Sequence, residues 1–140
     1  MRRLTKIIAP LLCGALLPFP AAAQAAPTGT WLMQNRKAEV DIAPCAGGLC
    51  GRISRVIIYP KDGARTDIHN GNAQLRQRPL TGLPVLLDFR RSGADWRGRV
   101  YDPKSGGTYA TTLTQTGPNR LTLKACIVFI CKSQEWTRIR

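Results

Sequence analysis

The sequence predicts an all-β domain of eight short antiparallel strands, and three features of the chain lead to this prediction. Apolar and polar residues alternate with a period of two in several short stretches, as in strands that bury one face. Turn segments rich in glycine, proline and asparagine separate these stretches, mostly at hairpin length. No long stretch beyond the N-terminal segment has a helical period.

The clearest hairpin runs from Trp96 to Tyr109 and reads WRGRVYDPKSGGTY. Tryptophan, glycine and valine alternate with two arginines and Tyr101 in its first half, which predicts a half-buried strand. The segment DPKSGG then supplies turn residues, because proline restricts one φ angle and paired glycines tolerate positive φ. Alternation resumes at Thr108, and this sixth strand is expected to end near Thr114.

The other strands are expected at residues 28–33, 38–42, 51–59, 85–90, 120–126 and 133–140. Residues 60–83 form the one long connection, in which residues 73–77 are expected to make a single helical turn before Pro79. Connections of this length are commonly lids, binding loops or disordered segments. Eight antiparallel strands can close into a barrel or form a sandwich, and composition leaves both open.

Residues 1–26 have the pattern of a secretory signal peptide. A cationic start without an acid precedes an apolar segment at residues 7–19, and residues 21–26 offer small-residue cleavage sites. A membrane anchor is the alternative, but the apolar run is shorter than the ~20 residues that span a bilayer. Lipidation of Cys13 is disfavoured because Leu12 before it is not small. Residues 27–140 are therefore expected to form one exported domain, periplasmic or secreted.

Four cysteines remain in the mature chain as two pairs, each with four residues between its members, and they are Cys45 with Cys50 and Cys126 with Cys131. An even cysteine count in an oxidising compartment predicts disulfides. Three pairings are possible, and we expect the two local ones, each at the end of a hairpin. A zinc site built from all four cysteines is the alternative.

The chain is strongly basic, with a formal net charge of +13, and the leader accounts for only three of the basic residues. Possible partners are nucleic acid, an anionic envelope polymer or an acidic membrane surface, although a charge that serves only solubility is the simpler alternative. No nucleic-acid-binding motif is present, so nucleic acid is unlikely on sequence grounds. A basic stripe could form on one sheet face from Arg90, Arg91, Arg97 and Arg99, with Tyr101 among them.

Four segments resemble an exported bacterial family called domain of unknown function 2147. They are CGRI from Cys50, LRQRPLTGLP from Leu75, YDPKSGGTY from Tyr101 and WTR from Trp136. These motifs occur in the family's order, and the resemblance covers essentially the whole mature chain. Members are similar to lipocalins in fold, so the resemblance implies a small eight-stranded antiparallel up-and-down barrel with one long loop. It implies no activity. The chain departs from the family's Asn-Pro-Asp-like pattern at residues 69–73, which read HNGNA.

The same resemblance gives a structural role to two distant residues. Gly29-Thr30-Trp31 looks like the Gly-x-Trp of the first lipocalin strand, and Arg138 looks like the arginine that packs over that tryptophan. A guanidinium over an indole is attractive by about 0.5–2 kcal/mol. We expect this pair to close one end of the barrel.

The sequence offers little for catalysis. His69 is the single histidine, and it lies in the long polar connection. Nucleophilic and metal-dependent hydrolase motifs are absent from the sequence, and most of its carboxylates lie beside turns or at polar strand positions. No catalytic residue, cofactor or metal ligand is therefore predicted.

Binding of a small amphipathic ligand inside the barrel is the preferred hypothesis, because ligand sites are concave and mostly apolar with a few polar groups. Side chains expected in the interior are Trp96, Tyr109, Phe89, Leu121, Leu123 and Trp136, and a completely filled interior is the alternative. Trp96, Tyr101 and Tyr109 are the predicted aromatic contacts. Arg76 and Arg78 are predicted at the mouth for an anionic head group, or else they anchor the loop to Asp88 or Asp102.

Overall fold

The computed structural model describes residues 24–140, which form eight strands and one short 3-10 turn. The predicted leader lies almost wholly outside the described residues, so its boundary stays a prediction. The elements are β1 (Gly29–Leu32), β2 (Ala38–Cys45), β3 (Gly48–Val56), a 3-10 turn (Ala73–Leu75), β4 (Pro84–Ser92), β5 (Asp95–Asp102), β6 (Gly107–Gly117), β7 (Arg120–Ile127) and β8 (Ile130–Arg138). Within residues 24–140 no helix has the length and apolar character needed to cross a bilayer.

The strands form one closed antiparallel barrel in which each strand pairs with its sequence neighbours and β8 pairs with β1. The barrel is therefore the correct choice between the two architectures that composition left open. The up-and-down order places the β2–β3, β4–β5 and β6–β7 turns at one end, together with the segment that enters β1. We call this the closed end. The β1–β2, β3–β4, β5–β6 and β7–β8 connections lie at the other end, which we call the open end.

Two glycines let large side chains enter the barrel interior. A Cβ on Gly98 of β5 would lie 2.7 Å from Cγ of Phe89, and one on Gly51 of β3 would lie 2.7 Å from Cδ1 of Leu86. Both Phe89 and Leu86 are buried. The interior near the closed end is therefore a packed hydrophobic core, in which burial of each large side chain contributes about 1.5–3 kcal/mol.

Trp31 and Arg138 seal the closed end, as predicted. The Arg138 guanidinium lies over the Trp31 ring at 4.4 Å from its centroid, and Trp31 has no exposed surface. The indole Nε1 donates to the Pro27 carbonyl over 3.0 Å, and Arg138 donates to the Thr28 carbonyl. Gly29 has a φ of 117°, and a Cβ there would lie 2.7 Å from the guanidinium, so glycine is required.

The disulfides pair as predicted, Cys45 with Cys50 and Cys126 with Cys131. The first staples the β2–β3 hairpin at the closed end, and the second staples the β7–β8 hairpin at the open end. A zinc site shared by all four cysteines is therefore excluded by the topology. Disulfides are typical of proteins folded in an oxidising compartment.

The β3–β4 connection, residues 57–83, is an ordered segment that we call the long loop. Its one turn of 3-10 helix, Ala73–Leu75, falls within the predicted helical turn. The side chain of Asn72 accepts a hydrogen bond from the Gln74 amide and caps this turn. An isolated bridge between Thr66 and Pro79 closes the loop on itself. Asn72 thus supplies the side-chain acceptor that the aspartate of the family's Asn-Pro-Asp-like pattern could supply.

Candidate binding site at the open end of the barrel

The inward side chains form rows across neighbouring strands, and the rows nearest the closed end are filled. Paired residues on adjacent strands share a face of the sheet. The register puts Leu113 of β6 beside Leu123 of β7, and Leu121 of β7 beside Trp136 of β8. All four side chains are buried. This part of the interior is core, as predicted for Leu121, Leu123 and Trp136.

Toward the open end the same face becomes accessible and polar. On β8 the buried Trp136 is followed, two residues at a time toward the tip, by Gln134 and Lys132, which are both exposed. Lys132 pairs with Ala125, and Ala125 pairs with Thr111. The Trp136 indole donates to Gln134 Oε1 over 3.1 Å and orients that amide. One face of one strand therefore passes from an apolar floor to a polar rim.

The barrel wall is also open between β1 and β8. Strand β1 has four residues and pairs with β8 only through Trp31 with Arg138 and Leu32 with Thr137. Beyond these pairs, the described part of the chain gives β8 no strand partner on the β1 side. A cleft of about 470 Å³ lies at this gap and is lined by Leu32, Met33, Gln34, Arg36, Glu135 and Thr137. The closed end is thus complete, whereas the open end is partly split.

Tyr109 is the predicted aromatic residue that lies at this rim. It is half-buried, pairs with Val100 across β5 and β6, and shares a hydrogen bond of 3.0 Å with Ser105 Oγ. A Cβ on Gly107 would lie 2.5 Å from the Tyr109 hydroxyl oxygen, so glycine lets the ring fold over its own hairpin turn. The turn residues of the hairpin therefore position a rim side chain.

Tyr101 lies elsewhere, beneath the long loop on the outer face of β5. Its hydroxyl donates to Asp67 Oδ1 over 2.5 Å and accepts from the Asn70 amide at 3.0 Å. The Asp67 carboxylate has no exposed surface and also accepts from Asn70 over 2.8 Å. Burial, followed by the Asp67 carboxylate, raises the pKa of Tyr101 to about 12. The phenol is thus neutral at physiological pH and committed to this network.

Arg76 and Arg78 hold the same loop. Arg78 Nη2 lies 2.9 Å from Asp67 Oδ2 and forms an ion pair with it. Arg76 Nε donates to the Asn70 carbonyl over 2.8 Å. The loop-anchoring alternative therefore describes both arginines, but the carboxylate is Asp67, and neither Asp88 nor Asp102 takes part in these contacts. Asp102 instead caps its own turn by accepting from the Lys104 amide over 3.0 Å.

Trp96 lies at the opposite end of the barrel from the rim. It is the second residue of β5, which starts at the closed end, and it is partly buried against the core. It pairs with Leu113 of β6, and the Arg91 guanidinium lies 5.0 Å from its ring centroid. Of the five residues predicted to bind ligand, the structure therefore places only Tyr109 on the inner face at the open end, because Tyr101, Arg76 and Arg78 belong to the network on the outer face.

The four arginines of the predicted basic stripe largely have partners within the chain. Arg90 donates to the Ala46 carbonyl, and Arg91 donates to the Gln24 carbonyl. Arg99 pairs with Asp88 at 2.7 Å. Arg97 is exposed and lies opposite Arg90 in the β4–β5 ladder. With Tyr101 covered, the stripe lacks the accessible aromatic ring that stacking on bases or sugars requires.

Two further charged pairs are parts of the scaffold. His69 and Asp62 lie 3.3 Å apart on the surface of the long loop, and the Ala64 amide, followed by His69, lowers the pKa of Asp62. On the barrel wall, the Arg55 guanidinium lowers the pKa of the buried Glu39 carboxyl. Neither pair has a nucleophile beside it among the contacts of residues 24–140.

A closed eight-stranded antiparallel barrel, sealed at one end by a tryptophan–arginine pair, defines a lipocalin-like protein. The fold is similar to that of HP1028 from the human pathogen Helicobacter pylori, described as belonging to the lipocalin family, with a TM-score of 0.70. The two share 20% sequence identity, with 84% of this chain and 85% of that chain covered, and at this identity the likeness concerns the fold alone.

The chain belongs to the family described as uncharacterized proteins conserved in bacteria, domain of unknown function 2147, whose model matches residues 29–138. No curated protein matches the chain. Both the family resemblance and the lipocalin-like barrel expected from it are confirmed.

Sequence reasoning missed Gln134 and Lys132 as rim residues. The signal was present, because counting by twos from the inward Trp136 reaches both positions. Lys132 was missed because the last strand was expected to begin at residue 133, whereas β8 begins at Ile130. Gln134 lay within the expected strand but was not singled out. The extra length of the hairpin raises these side chains above the packed rows of the core.

Proposed function

We propose that this protein is an exported, non-catalytic binding protein for a small amphipathic ligand, held at the open end of the barrel. The ligand's apolar part would lie above the packed row of Leu113 and Leu123, against Ala125, and its polar part would face Gln134 and Lys132. Tyr109 would contribute an aromatic edge at the rim. An apolar floor with few polar groups is the general composition of small-ligand sites.

The observation that carries this proposal is the change of character along β8. Trp136 is 2% exposed, whereas Gln134 and Lys132, on the same face, are exposed. Since Lys132 is an exposed cation at the rim, on the face that carries the buried Trp136, a carboxylate or phosphate head group suits it best. In this proposal Lys132 binds the head group, the role that the sequence suggested for Arg76 and Arg78. Those two arginines instead bind groups of the long loop itself.

A basic surface that binds an anionic envelope polymer is the alternative function. It receives less support, because Arg90, Arg91 and Arg99 already bind carbonyl or carboxylate groups of the chain. Such binding would weaken steeply with salt through counterion release. Binding of an apolar tail within the barrel would change little with salt, so the two functions are distinguishable in one titration.

The first test is native mass spectrometry of the mature protein isolated from its own envelope, before and after organic extraction. A bound mass that extraction removes supports the proposal and identifies the ligand. If the protein carries no ligand and also fails to bind added amphiphiles, the interior is filled and the proposal is wrong.

A fluorescent fatty acid, 11-(dansylamino)undecanoic acid, provides the second test. We expect Lys132→Gln to weaken binding of this acid by roughly tenfold, because a charge-assisted hydrogen bond contributes about 1.5–3 kcal/mol and the exposed position of Lys132 favours the lower end of that range. Binding of its methyl ester should be unaffected. Lys124→Gln is the matched control, since Lys124 lies on the same hairpin but on its other face. Equal loss in both variants would refute a rim site.

A further inference from the structure

The tip of the β7–β8 hairpin is an exposed apolar surface. We call Ile127, Val128, Phe129 and Ile130 the apolar tip, and their exposed fractions are 56%, 83%, 96% and 70%. Single exposed apolar residues are common on protein surfaces, but four in succession at one projecting turn are unusual. The barrel core does not use these side chains, so their exposure calls for a partner outside the chain.

The tip is built as a rigid element. Cys126 pairs with Cys131 and is bonded to it, and Ile127 pairs with Ile130, so Val128 and Phe129 form a two-residue turn. Val128 has a φ of 54°, in the left-handed region that β-branched residues rarely adopt. Asparagine or glycine would suit this turn better. The chain therefore keeps an apolar valine at a position where local backbone preference opposes it.

The tip projects beyond the barrel rim. The last pair between β6 and β7 is Thr111 with Ala125, so the end of the hairpin beyond Ala125 has no strand partner on the β6 side. On the other side, β8 pairs with β1 only from Thr137 onward, near its far end. The hairpin thus ends as a narrow convex projection. Such a shape suits penetration of a fluid apolar phase better than contact with a flat protein face.

Basic residues lie around the base of the apolar tip. Lys124 and Lys132 flank the disulfide on either strand, and Lys104 lies in the neighbouring β5–β6 turn at the same end. Between Asp102 and Glu135 the sequence contains no acidic residue. An apolar projection with lysines at its base is complementary to a bilayer whose head groups are anionic, and each lysine near such a surface favours binding.

We propose that the apolar tip inserts into the surface of an anionic phospholipid bilayer, with Lys124 and Lys132 at the level of the head groups. The disulfide limits the conformational entropy lost when the tip is buried. Docking in this orientation would bring the open end of the barrel to the lipid. The inference concerns a separate surface and does not require that the barrel bind a ligand.

Flotation with vesicles of phosphatidylcholine, with and without phosphatidylglycerol, tests this inference. The mature protein should float with the anionic vesicles, and less so as salt rises. The double variant Val128→Ser/Phe129→Ser should lower partitioning by at least roughly tenfold. Lys124→Gln should lower it by about fivefold. Ile139→Ser is the matched control, because Ile139 is 39% exposed at the closed end, and it should partition as the unmodified protein does.

A second readout places the tip in the lipid. Tryptophan at the tip, introduced as Phe129→Trp, should show a blue-shifted emission with anionic vesicles and quenching by brominated lipid, relative to the unmodified protein. Failure of the unmodified protein to float at low salt would overturn the inference, as would equal flotation of the tip variant. If the tip variant instead abolishes a dimer in sedimentation without lipid, the tip is a contact between copies and the membrane assignment is wrong. Binding of the dansyl acid is measured without vesicles, so the two proposals fail independently.

Discussion

The hydroxyl of Tyr101 donates a 2.5 Å hydrogen bond to Oδ1 of Asp67, and this contact joins the barrel wall to the long loop. Asp67 is fully buried, and its other oxygen accepts from Asn70 and Arg78. A buried carboxylate is costly unless it is paired and hydrogen-bonded. The network meets that requirement, which explains how a connection this long is ordered on the outside of a small barrel.

Removing the Tyr101 hydroxyl should destabilise the protein without changing ligand binding. Tyr101→Phe deprives the buried Asp67 of one donor, and a hydrogen bond to a charged group contributes about 1.5–3 kcal/mol. Urea unfolding should show this loss in the free energy of unfolding. Binding of the dansyl acid should be unchanged. A clear loss of affinity in a folded Tyr101→Phe protein would instead show that Tyr101 is part of the binding site.

The same contact predicts a pH dependence at alkaline pH. The pKa of Tyr101 is raised to about 12 in the folded state, compared with about 10 for the unfolded chain. Because the folded state holds this proton more tightly, the stabilisation is fully present below pH 10 and is lost as the pH rises toward 12. The difference in melting temperature between the native chain and Tyr101→Phe should therefore shrink over this interval. A constant difference across it would contradict the assignment.

Arg76 and Arg78 should behave as structural residues. Arg78→Ala leaves the buried Asp67 without its cation and should cost about 1–3 kcal/mol, reduced from the value for a fully buried pair because Arg78 is 37% exposed. Arg76→Ala removes one hydrogen bond to a carbonyl and should cost about 0.5–1.5 kcal/mol. Thermal unfolding measures both losses. Weakened binding of the dansyl acid by either folded variant would instead favour the head-group role.

Gly106 holds the β5–β6 turn against the long loop and should not tolerate a side chain. Its φ is 69°, and a Cβ there would overlap the His69 carbonyl oxygen. We expect Gly106→Ala to cost about 2–4 kcal/mol, from backbone strain and overlap together. Gly63→Ala separates the two effects, since Gly63 has a φ of 74° with open space around it and should lose only about 1–2 kcal/mol. Equal losses would show that the contact with His69 is unimportant.

Much of the fold follows from local pattern, and the exceptions have physical reasons. The third strand was expected at residues 51–59, but β3 spans Gly48–Val56. The run Val56-Ile57-Ile58-Tyr59 has the residue types of a strand. However, β2 begins at Ala38, opposite Val56, and β4 begins at Pro84, opposite Arg52, so neither neighbour offers a strand partner beyond Val56. Strand propensity describes what a segment can do, whereas pairing with a neighbour decides where it ends.

The candidate site was less predictable than the fold. Alternation correctly assigned Tyr101 to the outer face with Arg97 and Arg99, but period alone does not tell which segment covers that face. Only the folded loop brings Asp67 to the phenol, across 34 positions of sequence. For the same reason, the sequence predicted that Arg78 could bind a ligand head group, whereas in the structure Arg78 forms an ion pair with Asp67.

The tryptophan–arginine pair of the closed end was expected from the family resemblance. By itself, the sequence determined the strand count, the hairpin connections and the two local disulfides. These depend on side-chain period, turn residues and short separations, which act along the chain. Only the tertiary structure decided that the arginines of the long loop bind groups of that same loop, that the barrel wall opens between β1 and β8, and that the apolar tip is exposed to solvent. These depend on which distant surfaces meet, and a local pattern carries no information about that.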